Sequence, residues 1–528
     1  MALDPGVRRI GDGTVLVGGS PIRVLRLTPA GRDLVDRLAT GEPVPATAGP
    51  QSLTRRLLDA GLADPRPATP STLPDVTVVI PVRNDRTGLA STLAALRAPL
   101  NDRAVEPGRT PVIVVDDASG DPALPDSTGA RHSVTGPPHC TTVIRRSAQG
   151  GPAAARNDGW REATTEFVAF LDANCEPEPD WLNVLLPHFG DPQVAAVAPR
   201  IISGADAGAP EWLAAYEDVC SPLDLGGREA IVRPGSPVAY VPTAALVVRR
   251  AALEALGGFD EGLIVGEDVD FVWRLVGAGW TVRYEPRATV RHPMRPTPTA
   301  WLAQRYRYGT SAAVLARRHG AAVAPAVLSP WTAAAWGLLA AGHPVGAAAA
   351  ATYSIAALTG RLPPAPPLHR GRQPDSTGRP EPDPDQPGFG DAGRTAGRDA
   401  GRLPATEAVR LAGLGHLRGG LSLARAVRRA WPLPALLLAV ASRKSRPALA
   451  AAVVVPGIVD WVGRRPRLDP VRFAALRLAD DLAYAAGLWA GCGRERSFSA
   501  LCPHLGGARN HPIRQTDASP SRSIGGRA

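Results

Sequence analysis

Three continuous apolar runs set the pattern of the chain: Val76-Thr77-Val78-Val79-Ile80, Val112-Ile113-Val114-Val115 and Phe167-Val168-Ala169-Phe170-Leu171. Runs of this length, rich in β-branched and aromatic residues and without alternation, predict strands covered on both faces. Between them the apolar positions recur at helical spacing, from Leu89 to Leu96 and from Ala153 to Ala163. Strand and helix alternating over residues 75–320 predict an α/β domain whose ligands sit at the carboxyl ends of its strands.

A smaller unit precedes it over residues 7–66. Val15-Leu16-Val17 and Ile22-Arg23-Val24-Leu25 flank a Gly18-Gly19-Ser20-Pro21 turn and read as a hairpin. Thr28-Pro29 then opens a helix with Leu34, Val35 and Leu38 on one face. Leu53, Leu57 and Leu58 mark a second helix, stopped by Gly61, and a Pro-rich linker runs from Asp64 to Pro74.

After residue 320 the pattern changes again. Residues 321–362 and 408–493 are Ala- and Leu-rich and predict helices. Ala321 to Leu358 holds no Lys, Arg, Asp or Glu, but Pro325, Pro330 and Pro344 cut it into pieces near the minimum for a membrane span. Trp431 to Ser442 is uncharged and too short to cross; Arg443, Lys444 and Arg446 follow it. Packed helices, or helices resting on a bilayer, fit these segments as well as spans do. Residues 363–404, rich in Pro, Gly, Asp and Arg, predict a disordered linker, and residues 494–528 a disordered tail.

Composition narrows the classes. The net charge of +10 is carried by Arg, with the excess towards the end of the chain, which suits nucleic acid, anionic lipid or acidic substrates. No nucleic-acid-binding motif or aromatic-interleaved basic patch is present, so nucleic acid is not expected as a partner. Five scattered cysteines (Cys140, Cys175, Cys220, Cys492 and Cys502) form no metal-ligand spacing and suit a reduced compartment. The first residues lack a basic-then-apolar signal, so secretion is not expected.

The chemistry gathers where apolar runs end. Asp85 follows Ile80-Pro81-Val82-Arg83-Asn84, Asp116-Asp117 follow Val115, Asp172 follows Leu171, and Glu267-Asp268 stand with Asp270. Several carboxylates on one sheet edge repel one another unless a cation joins them, and a hard divalent ion carrying phosphates would do so. Read alone, Asp116-Asp117-Ala118-Ser119 equally fits a helix N-cap, and Asp268 fits a cap for the helix continuing through Phe271 to Leu275.

In order, Val76 to Asn84, Val114 to Ser119, Ala155-Arg156-Asn157-Asp158-Gly159 and Phe170-Leu171-Asp172-Ala173-Asn174 resemble the nucleotide-sugar half of family 2 glycosyltransferases. Gly257-Gly258-Phe259-Asp260-Glu261 and Gly266-Glu267-Asp268-Val269-Asp270 resemble their acceptor half. The resemblance implies a GT-A nucleotide-sugar-binding domain, an inverting mechanism and a nucleoside-diphosphate sugar donor. By position, Pro81, Asp116 or Asp117 and Arg156 would hold the nucleoside, and Asp172 the ribose and metal-bound diphosphate. The family's Asp-x-Asp ends here in Asn174, whose amide oxygen still coordinates Mg²⁺ or Mn²⁺ but brings no charge. His292 is a further candidate ligand, or a plain surface histidine. Asp268 matches the catalytic base, with Glu267 and Asp270 positioning it. Gln304, Arg307 and Tyr308 resemble the Gln-x-x-Arg-Trp acceptor element of processive members, with Tyr in place of Trp; an Arg/Tyr-rich helix surface is the plainer reading.

The hairpin and two helices before this domain resemble winged-helix peptide-binding units of modified-peptide pathways. Joined to it, and followed by Arg307-Tyr308-Gly309-Thr310-Ser311-Ala312-Ala313 and an Ala-rich helical region, they resemble the glycosyltransferases of the mycofactocin system. That implies transfer of a hexose, glucose in β-1,4 linkage, from UDP-glucose to a peptide-derived redox cofactor precursor, once or repeatedly. A membrane enzyme with a lipid or polyprenyl acceptor and a non-catalytic nucleotide-sugar-fold binding protein are the rival readings. Attachment to the cytoplasmic face of the membrane is expected through residues 321–362 and 408–493, with a soluble cytoplasmic protein as the alternative.

Overall fold

The computed structural model describes residues 1–42, 48–68, 70, 72–97, 110–123, 131–136, 139–204, 208–360 and 405–506. It opens with β1 (Ala2–Leu3), β2 (Arg8–Ile10), β3 (Val15–Gly18), β4 (Arg23–Arg26), α1 (Pro29–Ala39), α2 (Ala48–Asp59) and β5 (Ala63–Asp64). β3 and β4 pair as the turn chemistry predicts; β2 adds a third antiparallel strand. Thr28 caps α1 by accepting the Gly31 amide at 3.1 Å. Leu34, Val35 and Leu38 pack with Leu16, Leu57 and Leu62.

The expected linker is accompanied by direct docking of this unit on the central sheet domain. Arg55 Nη1 lies 2.7 Å from Asp191 Oδ2, and Arg66 Nη1 lies 2.7 Å from Glu229 Oε2. Arg233 Nη2 donates to the Asp59 carbonyl at 2.8 Å. These Arg-mediated contacts join residues far apart in sequence, which no local pattern could show.

The central sheet is mixed rather than parallel throughout. Its strands are β6 (Val76–Val82), β7 (Val112–Asp116), β8 (Arg131–Gly136), β9 (His139–Arg145), β10 (Phe167–Leu171), β11 (Glu176–Pro177), β12 (Val194–Gly204), β13 (Ala230–Val232), β14 (Ala245–Arg249) and β15 (Thr281–Pro293). The order is β11-β15-β12-β14-β10-β6-β7-β9-β8, with β13 beside β15. β10, β6, β7 and β9 run parallel; β14 enters antiparallel between β10 and β12. Alternate residues of one strand feed different cores: Val78, Ile80 and Val114 face one, Val79, Ile113 and Val115 the other. Burial on both faces is why these strands read as unbroken apolar runs.

Helices α3 (Arg86–Arg97), α4 (Gly151–Glu162), α5 (Trp181–Leu185), α6 (Glu211–Cys220), α7 (Arg250–Leu256) and α8 (Glu267–Gly277) cover the sheet. Gly159 lets α4 settle on it, since a Cβ there would come within 2.3 Å of a Val79 methyl. The long α9 (Pro298–His319) leads into α10 (Pro330–Ala340) and α11 (Pro344–Gly360), then α12 (Ala405–Arg429), α13 (Pro432–Ala441), α14 (Arg446–Arg464) and α15 (Pro470–Glu495).

The prolines break residues 321–362 as predicted, and among the described residues no helix there is long and apolar enough to cross a membrane. One helical stretch is, Arg443–Arg464, within the second Ala-rich region. The expected linker 363–404 lies outside the described residues. The expected disordered tail is corrected in part, because structure continues to Gly506. β16 (Val327–Leu328) pairs in parallel with β17 (His504–Leu505), Ala500 is buried, and Trp431 Nε1 donates to the Leu501 carbonyl at 2.7 Å. These partners lie some 70 to 180 positions back along the chain, so the polar tail carries no local sign of them.

Candidate functional site

The parallel strands β6, β7 and β10 end on one sheet edge, and their following loops are fastened to each other. Asn84 N donates to Ser119 Oγ and Gly120 N to Asn84 Oδ1, both at 2.9 Å. Asn84 and Ala118 sit in the left-handed region, at φ 53° and 54°, so both turns hold conformations that non-glycine residues seldom adopt.

Asp116 and Asp117 shape this edge by binding backbone. Asp116 is buried, and its oxygens accept the Ser119 and Ala123 amides at 2.9 and 3.1 Å. Asp117 accepts the Gly150 and Gly151 amides, each at 2.8 Å, with Arg146 Nε 3.0 Å away. The pair therefore closes the loop after β7 onto the start of α4; a nucleoside here would meet carboxylates already turned to internal donors. Pro81 lies half-buried beside Val115 in the β6–β7 ladder.

Arg156, buried on α4, is the centre of the site. Its Nη2 donates to Asp172 Oδ1 at 2.8 Å and its Nη1 to Glu267 Oε1 at 2.9 Å. Nε of the same guanidinium has no partner among the described residues. One planar cation thus ties the end of β10 to the start of α8, and it stacks 5.9 Å from the Phe259 ring. Asp172 answers for its place at a buried strand end by this pair, which offsets the cost of desolvating it.

Asn157, the next residue, performs a latch that its motif did not disclose. Its Oδ1 accepts the Phe259 amide at 2.9 Å and Trp160 Nε1 at 3.0 Å; its Nδ2 donates to the Phe259 carbonyl and Glu261 Oε1, both at 2.8 Å. This holds the Gly257–Glu261 loop against α4. Gly258, at φ 76°, is required there, for a Cβ would fall 2.4 Å from Asn157 Oδ1.

Asp268 and Asp270 part company one turn into α8. Asp268 is half-buried, its Oδ1 taking the Val269 amide at 2.8 Å. Burial, reinforced by the neighbouring Glu267, pushes its carboxyl up to about 7. A carboxylate poised near neutrality has the proton affinity that general-base chemistry uses. Asp270, expected to position the base, is instead buried on the opposite side. Arg274 Nε donates to its Oδ2 at 2.8 Å, while His319 Nε2 and Arg318 Nη1 reach its Oδ1 at 2.9 and 3.3 Å. Against the cost of burial, the His319 and Arg274 hydrogen bonds and neighbouring cations hold Asp270 down to about 2. Its work is to join α8 to the end of α9, because residues two apart on a helix face different ways.

The Gln304–Tyr308 element is likewise divided. Gln304 is buried and donates to Tyr308 Oη at 3.1 Å. Arg307 is exposed, without an ion pair among the described residues. The neighbouring Arg305, passed over in the sequence, is buried between Glu217 and Asp480 Oδ2, the latter 3.2 Å from its Nε. Burial raises the pKa of both Tyr240 and Tyr308, and the Asp268 charge adds to the rise in each. Arg429 stacks 3.8 Å over the Tyr484 ring. Tyr240 and Tyr308 thus share the electrostatic surroundings of Asp268, and Tyr240 comes from a stretch that carried no motif.

Among the described residues no three His, Cys, Asp or Glu side chains gather as a ready metal site. The expected donors nevertheless suit a hard cation. Asp172 stays partly open to solvent, at 30% of its side chain. His292 Nδ1 lies 2.7 Å from the Pro293 carbonyl, which only accepts, so Nδ1 carries the proton and Nε2 keeps its lone pair. Burial lowers the pKa of His292, favouring this neutral form. Asn174 is half-buried two residues beyond Asp172.

The chain matches glycosyl transferase family 2 over residues 77–257. It is 42% identical over 515 residues to the pre-mycofactocin glycosyltransferase of Mycobacterium tuberculosis, covering 95% of this chain and 97% of that one. Glycosyltransferase AglE of Haloferax volcanii is 28% identical over 227 residues, 43% of this chain and 69% of its own. The mannosyltransferase PcManGT of Pyrobaculum calidifontis, solved with GDP-Man and Mn²⁺, aligns at 20% identity and a TM-score of 0.36 over 56% of this chain and 78% of its own. On likeness along nearly the whole of both chains, this protein belongs to the pre-mycofactocin glycosyltransferases, GT-A members of glycosyl transferase family 2.

Proposed function

We propose that this glycosyltransferase of mycofactocin biosynthesis moves glucose with inversion from UDP-glucose to the peptide-derived precursor, once or repeatedly. The observation that carries this reading is the Arg156 bridge, which sets Asp172 and Glu267 on one guanidinium at 2.8 and 2.9 Å. The residues read as meeting the donor's diphosphate and those read as meeting the acceptor are thereby held in a fixed relation. In the reaction an acceptor hydroxyl oxygen attacks the anomeric carbon opposite the diphosphate. The carbon–oxygen bond to UDP breaks, and Asp268 takes the hydroxyl proton. Glu267, fixed by Arg156, keeps negative potential beside Asp268 and so sustains its basicity. Asp172, with Asn174 and His292, would hold Mg²⁺ or Mn²⁺. When bound, the cation supplies Lewis-acid stabilisation of the leaving diphosphate. Tyr308, Tyr240 and Tyr484 offer ring faces for the acceptor, and residues 7–66 are read as the unit that holds its peptide part.

Incubating the purified chain with UDP-glucose, Mn²⁺ and the precursor tests the reading. Acceptor-dependent UDP release and a hexose gain in product mass are expected. Transfer from another nucleotide sugar alone would overturn the donor, and no product with any donor would overturn the acceptor. The exposed apolar surface of α13 and α14 favours a second reading, a lipid acceptor, and glucosylation of a polyprenyl phosphate in the same assay would establish it.

A further inference from the structure

Helices α13 and α14 leave a broad apolar surface uncovered. Five large hydrophobic side chains on α13 and six on α14 are exposed, Leu437 by 71% and Val440 by 72%. On α13, Leu433, Leu436, Leu437 and Val440 recur at three- and four-residue steps and share one face. On α14, Ile458 and Val462 are spaced one turn apart and are 53% and 59% exposed. Contiguous apolar surface of this kind marks an interaction site.

The inner face of α14 is built differently. Pro456, Gly457 and Asp460 are buried there. Asp460 meets Arg425 Nη2 of α12 at 2.6 Å and Arg477 Nε of α15 at 3.1 Å. A carboxylate fixed by cations on two neighbouring helices keeps this face on the protein. Arg443–Arg464 has the length and hydropathy to cross a bilayer. Crossing would either carry the ion pairs into hydrocarbon or break them, and both are costly because charge is taken from water without full compensation.

Both ends of α14 are basic. Arg443, Lys444 and Arg446 are exposed at the turn from α13, and Arg465 and Arg467 are exposed past its end. Among the described residues none of these five has an acidic partner. An apolar face bracketed by cations without acidic partners complements an anionic lipid leaflet: hydrocarbon below, phosphate headgroups at both rims. A second copy of the chain would bring the same cations against themselves.

We propose that α13 and α14 form a monotopic anchor lying in the plane of an anionic membrane, with the apolar face inserted and neither helix crossing. The anchor is narrower than the expected one: it excludes residues 321–362. It stands apart from the choice of sugar or acceptor, and given a nucleotide-sugar donor the leaflet is the cytoplasmic one.

Flotation of the full chain with vesicles of phosphatidylcholine and phosphatidylglycerol, against phosphatidylcholine alone, tests this. Binding is expected to the anionic vesicles without detergent, and to fall at least tenfold in the double variant Leu437→Glu with Ile458→Glu. Both side chains point outward, so the variant should keep its melting temperature and its acceptor-dependent UDP release. Arg443→Glu with Lys444→Glu should remove the preference for the anionic vesicles. Cysteines placed at 443 and 465 in a Cys502→Ser background should both react with a membrane-impermeant maleimide added outside the vesicles. Labelling at only one end would overturn the in-plane arrangement. Absence of vesicle binding, or equal binding by the double variant, would overturn the anchor. Self-association abolished by the same substitutions, without vesicle binding, would assign the face to a second copy instead.

Discussion

At the residue scale the site depends on which way individual carboxylates face. Asp268→Asn keeps the shape but cannot take a proton, so transfer should fall by roughly 100-fold or more while UDP binding stays within about twofold. A variant retaining a tenth of the rate would exclude Asp268 as base. With its carboxyl at about 7, the base is protonated and idle in acid. The rate should therefore climb through neutral pH, and the Asn variant should lose this limb of the profile. Asp270→Asn should act on stability. A carboxyl held down to about 2 contributes stability above its unfolded value, lost as pH falls through the folded one. The substitution should cost about 2 kcal/mol near neutrality, read by denaturant unfolding, with turnover kept. A stable but inactive Asp270→Asn would return that residue to the chemistry. At the strand end, Asn174→Asp restores a charge and should lower the Mn²⁺ needed for half-maximal activity, whereas Asp172→Ala should raise it. If neither shifts the metal titration, the two residues lie outside the coordination shell.

At the scale of elements, α9 packs closely against α15. A Cβ on Gly309 would stand 2.1 Å from the Tyr484 carbonyl oxygen, and one on Gly487 would stand 1.9 Å from that of Tyr306. Gly491 meets the Thr310 carbonyl oxygen in the same way, at 2.5 Å. Backbone cannot yield as a side-chain tip does, so Gly487→Ala must part the helices at a cost of about 1–3 kcal/mol. Tyr308 and Tyr484 ride on these two helices. The acceptor KM of this variant should rise several-fold while donor KM holds, measured at a temperature where the variant is folded. Lowered stability with both constants unchanged would show that the packing serves the fold alone.

At the scale of the molecule, the amino-terminal unit and the helical region both lean on the central sheet. Arg283 is buried on β15 beneath the unit, among Asp64, Asp191, Arg55 and Asp59. Arg8 Nη1 reaches Glu407 Oε1 of α12 at 2.6 Å, so the unit touches both other parts. Deleting residues 1–66 should lower the melting temperature and raise the acceptor KM at least tenfold with little change in the donor's. Unchanged acceptor kinetics in a folded truncation would assign the unit another task.

The sequence by itself determined what local chemistry dictates. The unbroken runs of β6, β7 and β10 exist because both faces are buried, and Thr28-Pro29 starts α1 because the cap and the fixed φ belong there. The order of the carboxylate motifs located the sheet edge, and with it Arg156, Asp172, Glu267 and Asp268. Tertiary structure decided what depends on partners far along the chain. Asp270 read as a residue positioning Asp268, but helix rotation turned it towards His319 instead. Arg305 rather than Arg307 became buried because Glu217 and Asp480 wait for it on α6 and α15. The antiparallel entry of β14 and the docking of residues 1–66 depend on pairings from about 50 to about 400 positions apart. A local pattern carries the propensity of each segment, but not the partner that completes it.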